Sequence, residues 1–311
     1  MSIKIKELYI PSDKRVICVS DIHGELDLFK NLLAKAGFGA DDILILLGDL
    51  YLKGSQCHAC LQYIIELATK PNVYVLRGNC DWARDSYLSE LERLWLDDLP
   101  HIITSEKFIF VHAGIEAKPL EEQDARLCMK TDAFLEIATA FDKWIVTGHW
   151  PTANYCHEVP CDNPIICREK HIIAIDGGNV VKFFGQLNAF FIQGDDFSFD
   201  YVDKFPVKTA KKTHKGQQGS IHITWLDRHF DILEEGVEFS RVRHLPSGKV
   251  VDVPTSRIWD DAGRPAISVM ATDHWLAVNE GESVSVIEVF SDRVYAKIRG
   301  ESGWLPLDVI F

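Results

Sequence analysis

Nowhere does the chain carry an unbroken run of about 18 apolar residues, so nothing in it reads as a membrane-spanning helix, and no membrane partner is expected. Its opening stretch, MSIKIKELYIPSDKR, lacks the apolar segment and small-residue cleavage site of a secretory signal. A cytoplasmic location is therefore expected. Cysteine is sparse, with 8 in 311 residues, which is too dilute for a disulfide framework; in a reducing compartment these are thiols. Positive charge is also short: 33 Lys and Arg against 46 Asp and Glu leave a formal net charge of -13. Such a surface repels phosphate backbones and anionic lipid, so nucleic acid is not an expected partner, and an anionic substrate would need a locally positive pocket. Apolar residues are not scarce. At 47% hydrophobic and 25% charged, the composition is that of a folded globular chain long enough for one large domain or two ordinary ones.

Four apolar runs rich in β-branched residues read as strands: Arg15 to Ser20, Ile43 to Leu47, Val73 to Leu76 and Phe108 to Val111. Between them, Glu25 to Ala36 and Ser55 to Leu67 space their apolar residues as helices packed on a sheet. This is a β/α alternation, and the polar and glycine clusters that close each strand lie where open α/β sheets gather ligands. The run Lys208 to Gly219 (KTAKKTHKGQQG) is basic and polar and reads as a solvated linker rather than a nucleic-acid site. Beyond it come short alternating segments separated by Gly and Pro turns. The expected organisation is a catalytic domain over residues 1–204, a linker over 205–220 and an all-β region over 221–311, the last folding independently and giving the site no ligands. That region repeats itself. The segments from Phe230 and from Trp275 both carry Glu-Gly, an alternating strand, a turn, and a proline followed four residues later by isoleucine.

The chemistry lies in the strand-end clusters Asp21-Ile22-His23-Gly24, Gly48-Asp49, Gly78-Asn79, His112-Ala113-Gly114 and Gly148-His149. Together they offer three carboxylate or amide oxygens and three imidazoles. A mixed oxygen and nitrogen set suits first-row transition metals, whereas calcium and magnesium prefer oxygen alone. Six donors exceed what one open catalytic ion needs, and one bridging carboxylate would divide them between two ions. Cys57 and Cys60, by contrast, sit in a helical pattern and read as packing residues rather than as zinc ligands.

In this order and spacing, Leu47-Gly48-Asp49, Leu76-Arg77-Gly78-Asn79, Val111-His112-Ala113-Gly114-Ile115, Thr147-Gly148-His149 and Ile175-Asp176-Gly177-Gly178 resemble the calcineurin-like metallophosphoesterases, above all the bacterial phosphoprotein-phosphatase branch. The resemblance implies an α/β fold of two packed mixed β-sheets flanked by helices, with the metals at one edge. It implies one ion on Asp21, His23 and Asp49, and another on Asp49, Asn79, His112 and His149, with a hydroxide shared between them. It also implies two divalent transition-metal cofactors, manganese first, with iron or zinc the alternatives. Asp49, Asn79, Cys80 and Asp81 would be the catalytic set, and Lys53, Arg77 and Lys130 the cations that meet substrate phosphate. The second C-terminal copy, through Glu280-Gly281 and Gly303-Trp304-Leu305-Pro306, resembles bacterial Src-homology-3-like barrels. This implies tandem small barrels over about 225–260 and 272–311 with a protein or peptide ligand.

Three departures from the family pattern matter. Related phosphodiesterases carry Gly-His-x-His where this chain has Pro151, which favours the phosphatase-type branch. The histidine that protonates the leaving oxygen is Cys80 here, and the aspartate that would support it is Leu52. The arginine beside the bridging residue is Lys53, which keeps the charge but loses bidentate geometry. The leading expectation is a phosphomonoesterase of serine/threonine protein phosphatase type. Its alternatives are a dinucleoside polyphosphate (diadenosine tetraphosphate) hydrolase or phosphodiesterase and, in another class, a catalytically weak interaction protein. Its partner would be a phosphorylated protein or a phosphate-containing small molecule.

Overall fold

The computed structural model describes residues 2–82, 87–217 and 219–311. Two compact units emerge. The first comprises Met1–Thr152, Asn163–Val181 and Gly185–Asp203; the second comprises Ala153–Asp162, Lys182–Phe184 and Lys204–Phe311.

In the first unit the elements run β1 (Ile5–Glu7), β2 (Arg15–Val19), α1 (Leu26–Lys35), β3 (Ile43–Leu46), α2 (Cys57–Leu67), β4 (Val73–Val75), α3 (Glu90–Asp98), β5 (Ile102–Thr104), β6 (Phe108–Val111), α4 (Ala125–Met129), α5 (Phe134–Ile137), β7 (Trp144–Thr147), β8 (Ile165–Cys167), β9 (Ile172–Ala174), β10 (Leu187–Gln193) and β11 (Asp196–Val202). They form two mixed sheets, ordered β1-β5-β6-β7-β9-β8 and β11-β10-β2-β3-β4. The pairs β2/β3, β3/β4, β6/β7 and β7/β9 are parallel.

The unbroken apolar runs reflect strands buried on both faces. Ile17, Val19, Leu44 and Leu46 pack under Phe29 and Leu32 of α1 and Leu61 and Ile64 of α2. The alternate residues Val16, Cys18, Ile43 and Ile45 meet Phe108, Phe110, Val146 and Ile173 of the facing sheet. On the far side of that second sheet, Ile109, Val111, Ile145 and Ile172 pack with Cys128 and Phe134. The order is thus helices, sheet, sheet, short helices. Cys60 is buried in the helix layer and Cys57 half-buried, and all eight cysteines are free thiols.

In the second unit come β12 (Val207–Thr209), β13 (His222–Ile223), β14 (Phe230–Glu234), β15 (Phe239–His244), β16 (Val250–Pro254), β17 (Ile258–Asp261), β18 (Arg264–Ile267), β19 (Ala271–Thr272), β20 (Ser283–Val289), β21 (Arg293–Ile298), β22 (Glu301–Pro306) and α6 (Leu307–Ile310). Two antiparallel meanders stand out, β14-β15-β16 and β20-β21-β22, with β12 added to the edge of β20. Each meander closes on a proline that starts a short helix: Pro254 before the 3-10 turn Thr255–Arg257, and Pro306 before α6. The fixed backbone angle of proline suits that position. Residues 207–209, inside the stretch read as a linker, are therefore sheet, and Ala210 beside them is buried. Gln218 of the same stretch lies outside the described residues.

The second unit also draws in residues 153–162 and 182–184, far upstream of the expected boundary. Phe184 is fully buried with its ring centroid 4.4 Å from that of Tyr295. Lys297, also buried, pairs with Asp162 at 2.7 Å and donates to the Phe184 carbonyl. A cation this deep is tolerated only with such partners.

Two expectations follow. Phe184→Ala should cost the second unit about 3–5 kcal/mol through the cavity it leaves, read as a lowered urea midpoint; an unchanged midpoint would contradict the packing. Second, His101 and His222 are both pushed down to about 4, chiefly by burial, with Arg77 and Lys4 adding to the effect at His101. A histidine with a lowered folded pKa gains a proton on unfolding. Stability should be full above about pH 6.5 and fall as pH drops toward 4, measured as urea midpoints across that window. A flat profile would refute the assignment.

Candidate metal centre

Every expected ligand stands just past the carboxyl end of a parallel strand: Asp21 and His23 after β2, Asp49 after β3, Asn79 after β4, His112 after β6 and His149 after β7. The loops reach the site by bending sharply. Asp21, His23, Asp49 and His149 all take left-handed backbone, with φ of 56°, 50°, 53° and 65°. That conformation is uncommon for residues other than glycine and persists where surrounding bonds over-determine it. Here the loops bond one another, with the Asp21 amide donating to the Gly48 carbonyl (3.1 Å) and the His23 amide to that of Asp49 (2.9 Å). Glycine is obligatory at Gly48, where a Cβ would lie 2.4 Å from the Gly78 nitrogen, and at Gly148, where it would lie 1.7 Å from Ser20 Oγ.

Donor atoms of Asp21, Asp49 and His112 lie within 4.8 Å of one another, and so do those of His23, Asp49 and Cys80. Asp49 belongs to both groups. His112 Nε2 is 3.3 Å from Asp49 Oδ1, and His23 Nε2 is 3.6 Å from Asp21 Oδ1 and 3.7 Å from Asp49 Oδ2. Backbone carbonyls fix which nitrogen faces inward: Leu47 O holds His112 Nδ1 at 2.8 Å, and Leu52 O holds His23 Nδ1 at 3.0 Å. His149 is turned the other way. Its Nε2 meets Asp132 Oδ1 at 2.9 Å, and its amide donates to Asp21 Oδ2 at 2.9 Å. With Asn79 Oδ1 3.2 Å from His112 Nε2, Asn79 Nδ2 donates to Cys80 Sγ at 3.3 Å. The other amide rotamer brings Nδ2 within 2.8 Å of His149 Nδ1, so Asn79 lies between the two imidazoles either way.

Burial and charge pull against each other here. Burial alone would raise the Asp49 pKa, but His112 and His23 hold it below the usual carboxylate range. His112 is lowered by burial yet ends above its ordinary value because Asp49 and Asp21 face it. His23 and His149 end below theirs, burial being the main cause. Burial, with Asp49 second, drives the Cys80 thiol above its usual range. Asp21 and Asp49, each 2% exposed, are carboxylates that burial penalises unless positive charge meets them. The donors facing them are imidazoles, and carboxylate with imidazole is the set that first-row dications take. The residues fit a divalent metal pair bridged by Asp49.

Not every expected residue joins this cluster. Asp81 is buried and accepts from the amides of Asp49 (2.8 Å), Leu50 (2.9 Å) and Gly78 (2.8 Å). Both its oxygens are spent on holding loops, so it is a positioning residue rather than a catalytic one; burial and Asp49 raise its pKa above the usual carboxylate range. Arg77 is 3% exposed and donates to Asp97 Oδ1 at 2.8 Å, so it is a structural ion pair and not a phosphate ligand. Lys130 is exposed at the end of α4. The residue of that segment that reaches the site is Asp132, which sequence reasoning missed; a lone loop carboxylate gives no signal. Ser20, whose hydroxyl donates to Asp21 Oδ2 at 2.5 Å, and Asn179, whose Nδ2 donates to the Ile22 carbonyl at 2.9 Å, were missed for the same reason. Lys53 is exposed, in left-handed backbone (φ 87°), and its charge acts on both His23 and Cys80.

The family model for calcineurin-like phosphoesterases matches residues 14–178, more than half of the chain. No curated protein matches. Among solved structures, a putative diadenosine tetraphosphatase is similar at 20% identity and a TM-score of 0.51, over 64% of this chain and 98% of that one. A serine/threonine phosphatase from Saccharomyces cerevisiae matches at 14% identity and a TM-score of 0.45, over 65% of this chain and 85% of its own. A metallophosphoesterase from Sphaerobacter thermophilus matches at 18% and 0.41, over 61% and 88%. At 20% identity the likeness to the first of these is one of fold alone.

Asp132→Asn keeps the shape but removes the charge that orients His149, and should weaken binding of one metal equivalent by roughly 10- to 100-fold. Calorimetric titration of the metal-stripped protein with manganese or zinc measures this. Unchanged affinity for both equivalents would show that the Asp132 contact does no orienting.

Proposed function

Since this chain belongs to the calcineurin-like phosphoesterase family and is a metal-dependent phosphoesterase, we propose that it is a phosphomonoesterase of the phosphoprotein-phosphatase type, acting where the leaving oxygen is weakly basic. The observation that carries this reading is the replaced acid. Cys80 stands where a protonating histidine would, its Sγ faces the Asn79 amide, and the position that would support a histidine is Leu52, whose side chain packs into the helix-side core. Without a placed proton donor, an aryl or similarly stabilised leaving group departs more readily than the alkoxide of serine or threonine.

A pair of divalent ions, when bound, acidifies water and neutralises charge on the phosphoryl oxygens. Asp21, His23 and Asp49 would hold one, and Asp49, Asn79, His112 and His149 the other. The protein's part is arrangement. The Leu47 and Leu52 carbonyls keep His112 and His23 in the tautomers that present Nε2, and Asp132 keeps His149 presenting Nδ1. Lys53, exposed and close enough for its charge to act on His23 and Cys80, would be the cation that meets a non-transferring phosphate oxygen. No side chain need form a covalent intermediate. Manganese is the first candidate metal for the position of Asp49, Asn79, His112 and His149, with iron or zinc the alternatives, and a cytoplasmic location belongs to the same reading.

A second reading, hydrolysis of a dinucleoside polyphosphate, is favoured by the same feature because the departing nucleotide phosphate also needs no proton. For the C-terminal region, the matched meanders closing at Pro254 and Pro306 support two Src-homology-3-like repeats that would take a protein or peptide ligand.

Assays with manganese on an aryl phosphate, phosphotyrosine and phosphoserine peptides and a dinucleoside polyphosphate test this directly. The aryl ester should exceed the serine ester by roughly 100-fold or more, the scale of a missing general acid. Asp49→Asn should lower turnover by several orders of magnitude. Equal rates on aryl and alkyl esters would overturn the leaving-group reading, and preference for the dinucleotide would select the second one. Metal-loaded but inactive protein would favour the interaction reading.

A further inference from the structure

The ion assigned to Asp21, His23 and Asp49 has only three side-chain donors, and the position that in related phosphodiesterases adds an imidazole is Pro151, which is buried. A further donor stands beside two of these three. Cys80 Sγ lies within 4.8 Å of the donor atoms of both His23 and Asp49, and the three side chains are all buried. Ligands of one tetrahedral ion, at about 2.0–2.3 Å from the metal, stand within this separation of one another.

The sulfur is also pre-positioned. The Cys80 amide donates to Asp49 Oδ1 at 2.8 Å, which ties the residue to the bridging carboxylate itself. Its neighbour Asp81 pins the same turn through three backbone amides. On the other side, His23 has its Nδ1 taken by the Leu52 carbonyl, so its Nε2 is the atom left for the site, and the ring is 1% exposed. Cys80 is thus one member of a converging group, fixed by backbone bonds on the elements that position the other members.

We propose that Cys80 supplies a thiolate ligand to the ion held by His23 and Asp49, and that this makes the position selective for zinc or iron over manganese. On coordination the S–H proton passes to water, and a metal–sulfur bond replaces it. Soft thiolate favours zinc and iron, whereas manganese prefers oxygen donors. The protein would then hold two unlike sites, one of oxygen, nitrogen and sulfur and the other of oxygen and nitrogen alone. The inference rests on the dimetal reading of this site and not on the choice of substrate. It also gives the cysteine a task other than proton donation.

Cobalt(II) makes the test. The full chain, stripped of metal and titrated with cobalt, should take up two ions and develop a near-ultraviolet sulfur-to-cobalt charge-transfer band with one of them. Cys80→Ser and Cys80→Ala should each lose that band while keeping the visible cobalt bands of the remaining site, and should bind zinc at one site at least tenfold more weakly. Zinc titration of the unmodified chain should show one site preferring zinc to manganese more strongly than the other. Two cobalt ions bound with no charge-transfer band, or a band that survives both substitutions, would overturn the assignment of Cys80 and leave the dimetal reading standing. No cobalt bound at all would overturn both. Absence of the band from the unmodified chain overturns the assignment even if a variant fails to fold.

Discussion

Like charges held together out of water are the constraint on which the site depends. Asp21, Asp49 and Asp81 are all buried at the edge of the first unit, and each is stabilised differently. Asp81 spends its oxygens on three amides from the loops after β3 and β4. Asp49 is held ionised by His112 and His23, and Asp21 takes the Ser20 hydroxyl and the His149 amide. Of these, the Asp81 clamp comes first, because it sets the distance between Asp49 and the turn that carries Asn79 and Cys80. The carboxylates at Asp21 and Asp49 are then left for cations.

The same loops concentrate backbone strain. Four of the expected ligands and Lys53 adopt left-handed φ without being glycine. Each such residue costs on the order of 1 kcal/mol or more, recovered from the surrounding bonds and from the packed sheets behind them. Short strands with both faces buried make a stiff frame, and such a frame can hold strained turns at its edge. The glycines among them, Gly48 and Gly148, mark where two loops cross too closely for any side chain.

Metal choice and leaving-group preference meet at one residue. At Cys80 the chain lacks a protonating histidine, and the sulfur faces the same His23 and Asp49 that would hold a metal. A donor to metal cannot also be a free acid. With Cys80 as a ligand the site would trade general-acid catalysis for a tighter or differently selective ion, tying the proposed substrate preference to the proposed cofactor preference by geometry.

Much of this was written in the residue order. β2, β3, β4 and β6 follow the apolar runs within a residue or so, because strands buried on both faces must be continuously apolar; α1 and α2 follow their 3.6-residue spacing. The six expected ligands stand past the carboxyl ends of strands from both sheets, because parallel strands deliver their carboxyl ends together. The tertiary structure alone decided the rest. Nothing local separates a carboxylate that clamps amides from one that takes part in chemistry, which is why Asp81 reads from sequence as one of the catalytic set, nor a buried ion-paired Arg77 from a substrate-facing one. Asp132 reaches His149 across 17 residues. Residues 153–162 and 182–184 join the second unit through partners more than 100 positions away, such as Phe184 with Lys297. Motif and periodicity report on neighbours in the chain, whereas these roles are set by which distant groups share a buried volume, and that only packing decides.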